Sequence, residues 1–198
     1  TSMKLFKNIK KWLENQEHLF YLFLFILIVP NMVLCFTEPL PFMAKVANVL
    51  LPFGCYYLLM TLSRNCGKML WILFLFLFFG AFQIVLLYLF GQSIIAVDMF
   101  LNLVTTNSSE ALELLDNLTP AIIAVIILYV PALILGTISI IRKRKLTVEF
   151  IRRERKRAFL VFGISLLSLV GAYVQDSGYE LKSDLYPLNV CYNVGLAL

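Results

Sequence analysis

The charged residues of this chain fall in blocks, and the blocks are separated by five runs of about 17 to 22 mostly apolar residues. At 1.5 Å per residue, a helix of that length crosses the ~30 Å hydrocarbon layer of a bilayer. A segment in hydrocarbon must have its backbone hydrogen bonds satisfied, and apolar runs of this length, about twice what a spanning strand needs, are read as helices. The runs are residues 19–36, 42–62, 69–90, 120–141 and 158–174. With 61% hydrophobic residues and a mean hydropathy of +0.86, the chain reads as an all-α, polytopic membrane protein with five transmembrane helices.

Lys and Arg are retained on the cytoplasmic side, and their distribution sets an orientation. Lys4, Lys7, Lys10 and Lys11 precede the first span, and Arg64 and Lys68 flank the turn after the second. Arg142, Lys143, Arg144, Lys145, Arg152, Arg153, Arg155, Lys156 and Arg157 follow the fourth. Only Lys45 and Lys182 fall on the opposite side, which carries Glu38, Asp98, Glu110, Glu113, Asp116, Asp176, Glu180 and Asp184. The reading is therefore N-terminus inside and C-terminus outside. The net charge of +5 is a topology signal and does not point to nucleic acid. Leu146, Val148, Phe150 and Ile151 interrupt the basic loop, which leaves open contact with anionic lipid beside plain positive-inside bias.

Between the third and fourth runs, Asp98, Asn102, Thr106 and Glu110 recur every fourth residue. On a helix they form one polar stripe, with Val97, Phe100, Leu101, Val104, Leu112 and Leu115 supplying apolar surface away from most of it. The spacing predicts a helical segment at or dipping into the outer interface. Thr119-Pro120 predicts a sharp start for the fourth span, a hydroxyl cap followed by Pro at the first helical position. Two structural readings of the stripe stand beside a binding one. Asn107 and Glu110 have the spacing of a capping box, and the stripe also fits a solvated helix face.

Elsewhere the residues carry little chemistry. Cys35, Cys55, Cys66 and Cys191 have no CxxC spacing, and the single His18 has no ligand-bearing neighbour, so no metal site is read in this chain. No Asp, Glu, Lys or Arg lies at the centre of a run, Lys45 can snorkel outward, and Gln83 is the one amide deep in the third. Clean spans and the lack of an internal repeat argue against an ion-coupled transporter. Ala132, Gly136, Ser168 and Ala172 would allow close helix packing, and Pro131 is expected to kink the fourth span.

The stretch Val97-Asp-Met-Phe-Leu-Asn-Leu-Val-Thr-Thr-Asn-Ser-Ser-Glu-Ala-Leu-Glu-Leu-Leu115 resembles the membrane domain of the phosphoethanolamine transferases that modify lipid A, the family that includes the mobile colistin-resistance enzymes. That family has five membrane helices, the N-terminus inside, and a periplasmic zinc-dependent domain of the alkaline phosphatase and sulfatase superfamily. Its Asn-x3-Thr-x3-Glu pattern stands here as Asn102, Thr106 and Glu110, followed by a family-like Ala-x-Glu-Leu-Leu. The resemblance covers the whole chain in architecture and this outer segment in motif.

The resemblance implies a function. The full enzyme would move phosphoethanolamine from phosphatidylethanolamine to a lipid A phosphate in the bacterial inner membrane, by way of a Thr nucleophile near zinc in the catalytic domain. None of the catalytic residues is expected in this chain. Its part would be to anchor the enzyme and hold the donor lipid, with Asn102, Thr106 and Glu110 as the substrate-binding residues and Asp98 as a helper. Thr1 and Ser2 read as an expression scar, residues 3–175 as the membrane domain, and residues 176–198 as the start of a periplasmic linker to the catalytic domain. Tyr186-Pro187-Leu188-Asn189 is similar to the family's linker. A related phosphoglycerol-type transferase and a non-enzymatic membrane scaffold are the alternative functions.

Overall fold

The computed structural model describes residues 2–37, 39–90, 105, 107–180 and 184–197, and these are organised as helices joined by turns, with no strand among them. In chain order the helices are α1 (Ser2–Glu14), α2 (Gln16–Thr37), α3 (Phe42–Met60), α4 (Cys66–Ile72), α5 (Phe74–Phe90), α6 (Ser108–Ile141), α7 (Val148–Gln175) and α8 (Leu188–Ala197). Four stretches are long and apolar enough to span a membrane: Gln16–Thr37, Phe42–Met60, Leu118–Ile141 and Val148–Gln175. A bent pair, Cys66–Ile72 with Phe74–Val85, would make a fifth. The protein is membrane-embedded: on α6 and α7 the outward-facing side chains, such as Ile127, Leu167 and Val174, are bare apolar surface suited to lipid.

The third run departs from expectation. Residues 69–90 were expected to form one helix, but the chain bends by 62° at Leu73. Neither Gly nor Pro stands there, so the break is a product of packing. Asn65 caps α4 by accepting from the Lys68 N–H at 2.9 Å, and the Trp71 indole N–H donates to Thr137 Oγ1 at 3.1 Å. Gly67 lies so close to Gly136 that an added Cβ would run into the Gly136 backbone. These contacts seat α4 on α6, while α5 packs against both α6 and α2.

The fourth run is also corrected. Thr119-Pro120 does not start a helix, because α6 runs unbroken from Ser108 through Pro120 and Pro131 to Ile141. One proline removes one backbone hydrogen bond, and the good helix formers Ala111, Leu112, Glu113, Leu114 and Leu115 carry the helix into it. At its 34 residues α6 is roughly 51 Å long, longer than the hydrocarbon is thick. Its other end closes in a Schellman motif. Arg144 N–H donates to the Ser139 carbonyl at 3.1 Å and Lys143 N–H to Ile140 at 3.0 Å, with Lys143 in the left-handed region at φ 51°.

Hydrogen bonds gather the loops at two ends. At the end that collects the basic residues, Arg64 and Leu146 exchange bonds, the Asn65 amide donates to the Ser139 and Arg144 carbonyls, and Arg144 reaches the Glu14 carbonyl at 2.9 Å. At the opposite end the start of α3 meets the end of α7, where Met43 N–H donates to Gln175 Oε1 at 3.0 Å. Between the ends, α3 and α7 pack closely along their length, with Ala44, Ala47 and Ala172 fully buried at the seam. Small residues let the backbones approach, as expected of Ala172. A core of Phe20, Phe23, Met60 and Leu70 fills the space between α2, α3 and α4.

Candidate functional site

Of the residues singled out in the sequence, Asp98, Asn102 and Thr106 lie outside the described residues, as does most of the expected interfacial segment. Glu110 sits in the first turn of α6, ten residues ahead of Pro120. Asn107 immediately precedes the helix, in the N-cap position, and its Oδ1 accepts from the Ser109 hydroxyl at 2.8 Å. Glu110 therefore has the N3 position that a capping box requires, which keeps that structural use of it alongside the binding one.

A denser constellation lies at the end away from the basic loops. Asn31 on α2 and Asn48 on α3 are both buried, and their amides point into the segment that follows α7. Asn31 Nδ2 donates to the Tyr186 carbonyl at 2.8 Å and to the Asn48 carbonyl at 3.1 Å. Asn48 Nδ2 donates to the Asp184 carbonyl at 2.8 Å, and its Oδ1 accepts from the Tyr179 hydroxyl. Burial, and then the charge of Asp184, push the Tyr179 phenol up, which keeps it protonated and donating. The Tyr186 hydroxyl, also pushed up by burial, donates to the Phe76 carbonyl at 3.0 Å. Asp176 Oδ1 accepts from Gly178 N–H at 2.9 Å, and Asp184 Oδ2 from Glu180 N–H at 2.8 Å, tightening each turn. Residues 176–180 and 184–187 are thereby strapped onto the helix ends.

Behind this strap is a buried group of polar side chains short of partners. Gly80 on α5 lets the Tyr129 and Tyr186 hydroxyls come close, since a Cβ there would lie 3.0 and 3.1 Å from them. One turn along, Gln83 is 1% exposed, and neither its amide nitrogen nor its oxygen has a partner. The Tyr56 and Tyr129 hydroxyls and Asn31 Oδ1 are likewise buried and unpaired. Such groups cost free energy unless a water or a polar ligand atom answers them.

The basic end has its own buried polar group. Glu154 on α7 is 0% exposed and accepts from the Tyr57 hydroxyl, from Arg153 Nε at 3.2 Å and from Arg157 Nη1 at 3.2 Å. The two guanidiniums remain about half exposed, so the carboxylate is neutralised without burying either of them. His18 stacks on Trp12 with ring centroids 4.9 Å apart and sits 3.1 Å from the Trp12 carbonyl, a structural use of the one histidine. Among the described residues no three His, Cys, Asp or Glu side chains converge as a metal site would require.

Sequence reasoning passed over Asn31 and Asn48, although an amide inside an otherwise apolar run is itself a signal of an interhelical bond. It also passed over α1. Phe6, Ile9 and Leu13 at helical spacing, with Lys7, Lys10 and Lys11 between them, mark an amphipathic helix, which is what Ser2–Glu14 forms.

Compared with protein-family models, with curated proteins and with solved structures, the chain finds no match in any of the three.

Proposed function

We propose that this chain is the membrane domain of a lipid A phosphoethanolamine transferase, lying in the bacterial inner membrane with α1 and the basic loops cytoplasmic and the strapped segment periplasmic. The observation that carries the reading is the strap. In a transferase of this kind, the chain after the last span joins a catalytic domain that must work at a fixed height above the lipid headgroups. Asn31 and Asn48 donate to the Tyr186 and Asp184 carbonyls, the Tyr186 hydroxyl donates to the Phe76 carbonyl, and the Tyr179 hydroxyl donates to Asn48, which together give a rigid base for such a domain.

Glu110 supports the donor-lipid role. It stands on the part of α6 that extends past the apolar Leu118–Ile141 stretch, at the depth of a headgroup. Its carboxylate pairs with the ethanolamine ammonium, while Asn102 and Thr106 hydrogen-bond phosphate oxygens. This positions the donor and leaves bond making to the catalytic domain, where the Thr nucleophile and zinc belong.

The test is mass spectrometry of lipid A from cells with and without the full-length protein. A phosphoethanolamine-sized addition is expected, and its absence refutes the assignment. Asn102→Ala, Thr106→Ala and Glu110→Ala should each reduce the addition with membrane levels unchanged. Unaltered transfer in all three would return Glu110 to the capping role.

A further inference from the structure

The basic end carries a hollow that neither the strap nor the donor-lipid reading uses. Arg64 from the α3–α4 turn and Arg152, Arg155 and Lys156 from α7 surround a cavity of about 490 Å³. Val148, Ile151 and Phe159 form its apolar wall. No carboxylate lines it, and the buried Glu154 turns toward Tyr57, away from this group. Two of the four cations are held in place by the backbone. Arg64 Nε donates to the Leu146 carbonyl at 2.8 Å, and Arg155 Nη2 to the Thr61 carbonyl at 2.8 Å. Each keeps further N–H groups free to point elsewhere. Four positive charges converging without a counter-charge repel one another unless an anion joins them.

The position of the hollow along the helix identifies the anion. At 28 residues α7 is roughly 42 Å long, about 12 Å more than the hydrocarbon layer. The excess is the charged stretch 148–157, and the apolar run begins at Ala158. The cations therefore sit at headgroup depth, and Phe159, 61% exposed, marks the edge where acyl chains begin. A soluble anion would use the charges and leave the apolar wall idle. A phospholipid uses both.

We infer that this hollow binds an anionic phospholipid, with its phosphate and headgroup among Arg64, Arg152, Arg155 and Lys156 and its acyl chains against Phe159. The inference rests on the membrane embedding alone and is independent of the transferase reading. Bound there, the lipid ties the α3–α4 turn to the start of α7 through one shared anion.

The experiment is native mass spectrometry of the whole chain released from nanodiscs of equal phosphatidylglycerol and phosphatidylcholine. The expected result is at least tenfold preferential retention of phosphatidylglycerol. Arg152→Gln with Lys156→Gln, both exposed side chains, should leave the circular dichroism spectrum unchanged and remove most of that preference, and Arg152→Lys should keep it. Lys4→Gln with Lys7→Gln makes the same charge change on α1 and should leave it unaltered. Equal retention of the two lipids by the wild-type chain overturns the inference. So does an equal loss in the α1 control, which would mean a diffuse field, or retention of added inorganic phosphate in place of lipid.

Discussion

Glu154→Ala removes the acceptor shared by the Tyr57 hydroxyl and two guanidiniums in one step, and its cost can be worked from the contacts. Glu154 is fully buried, and the Tyr57 hydroxyl that it accepts from is buried with it. Losing a hydrogen bond to a charged group, and leaving a buried hydroxyl unpaired, costs about 2–3 kcal/mol. Arg157 is more than half exposed and returns to water, so its lost pairing adds only about 0.5 kcal/mol. The small void left beside Tyr57 adds about 1 kcal/mol. The expected destabilisation is therefore about 3.5–4.5 kcal/mol, most of it residing in the Tyr57 contact rather than in the ion pairs. Tyr57→Phe should cost about 1 kcal/mol, because the carboxylate keeps its two guanidinium donors. The double variant should then cost about 1.5 kcal/mol less than the two singles added together, since the unpaired hydroxyl is gone. Glu154→Met with Tyr57→Phe, which removes both polar partners at nearly constant volume, should be milder than Glu154→Ala alone. Reversible unfolding in mixed micelles, followed by far-ultraviolet circular dichroism, measures all four. If Glu154→Ala costs under 0.5 kcal/mol, or if the two singles add without coupling, the Tyr57 contact is not the source of stability and the reasoning fails.

The Gly67 and Gly136 contact is asymmetric. A methyl group at Gly67 meets backbone and should cost about 3 kcal/mol or more, whereas at Gly136 it meets atoms 3.4 Å away and should cost under about 1 kcal/mol. Comparable melting temperatures for the two alanine variants would contradict that geometry. Asn48→Leu takes a donor from the Asp184 carbonyl and an acceptor from the Tyr179 hydroxyl. A loss of about 1.5–2 kcal/mol in holding the strap should speed amide exchange at Asp184, Leu185 and Tyr186 by roughly tenfold or more, with α7 unchanged, and uniform protection would argue that the strap is held elsewhere. Lys143→Gly relieves a left-handed residue in the α6 terminus and should raise stability by about 0.5–1 kcal/mol in the same unfolding assay.

The sequence by itself determined the class and the helices. Apolar runs of spanning length with no charge at their centres are read as helices in a bilayer, so the first, second, fourth and fifth runs could be read to within a few residues at most ends. The same reading sorted the loops into a basic end and its opposite. It failed where a local signal competed with packing. Thr119-Pro120 has the chemistry of a helix start, yet the roughly 3 kcal/mol that an interior proline costs did not end the helix, which begins twelve residues ahead of it at Ser108. Leu73 has no chemistry of a break at all, and the 62° bend there comes from Gly67 docking on Gly136, a contact between residues far apart in the chain. The candidate site divides in the same way. The Asn102, Thr106 and Glu110 stripe is proposed from periodicity, a local property, and two of its three residues lie outside the described residues, whereas the strap on Asn31 and Asn48 and the hollow around Arg64 and Lys156 each join segments more than eighty residues apart. Hydropathy and charge are properties of each segment alone and need no partner to be read. Which amide faces which carbonyl, and which cations share a hollow, depends on how the helices pack against one another, and only the tertiary structure decided it.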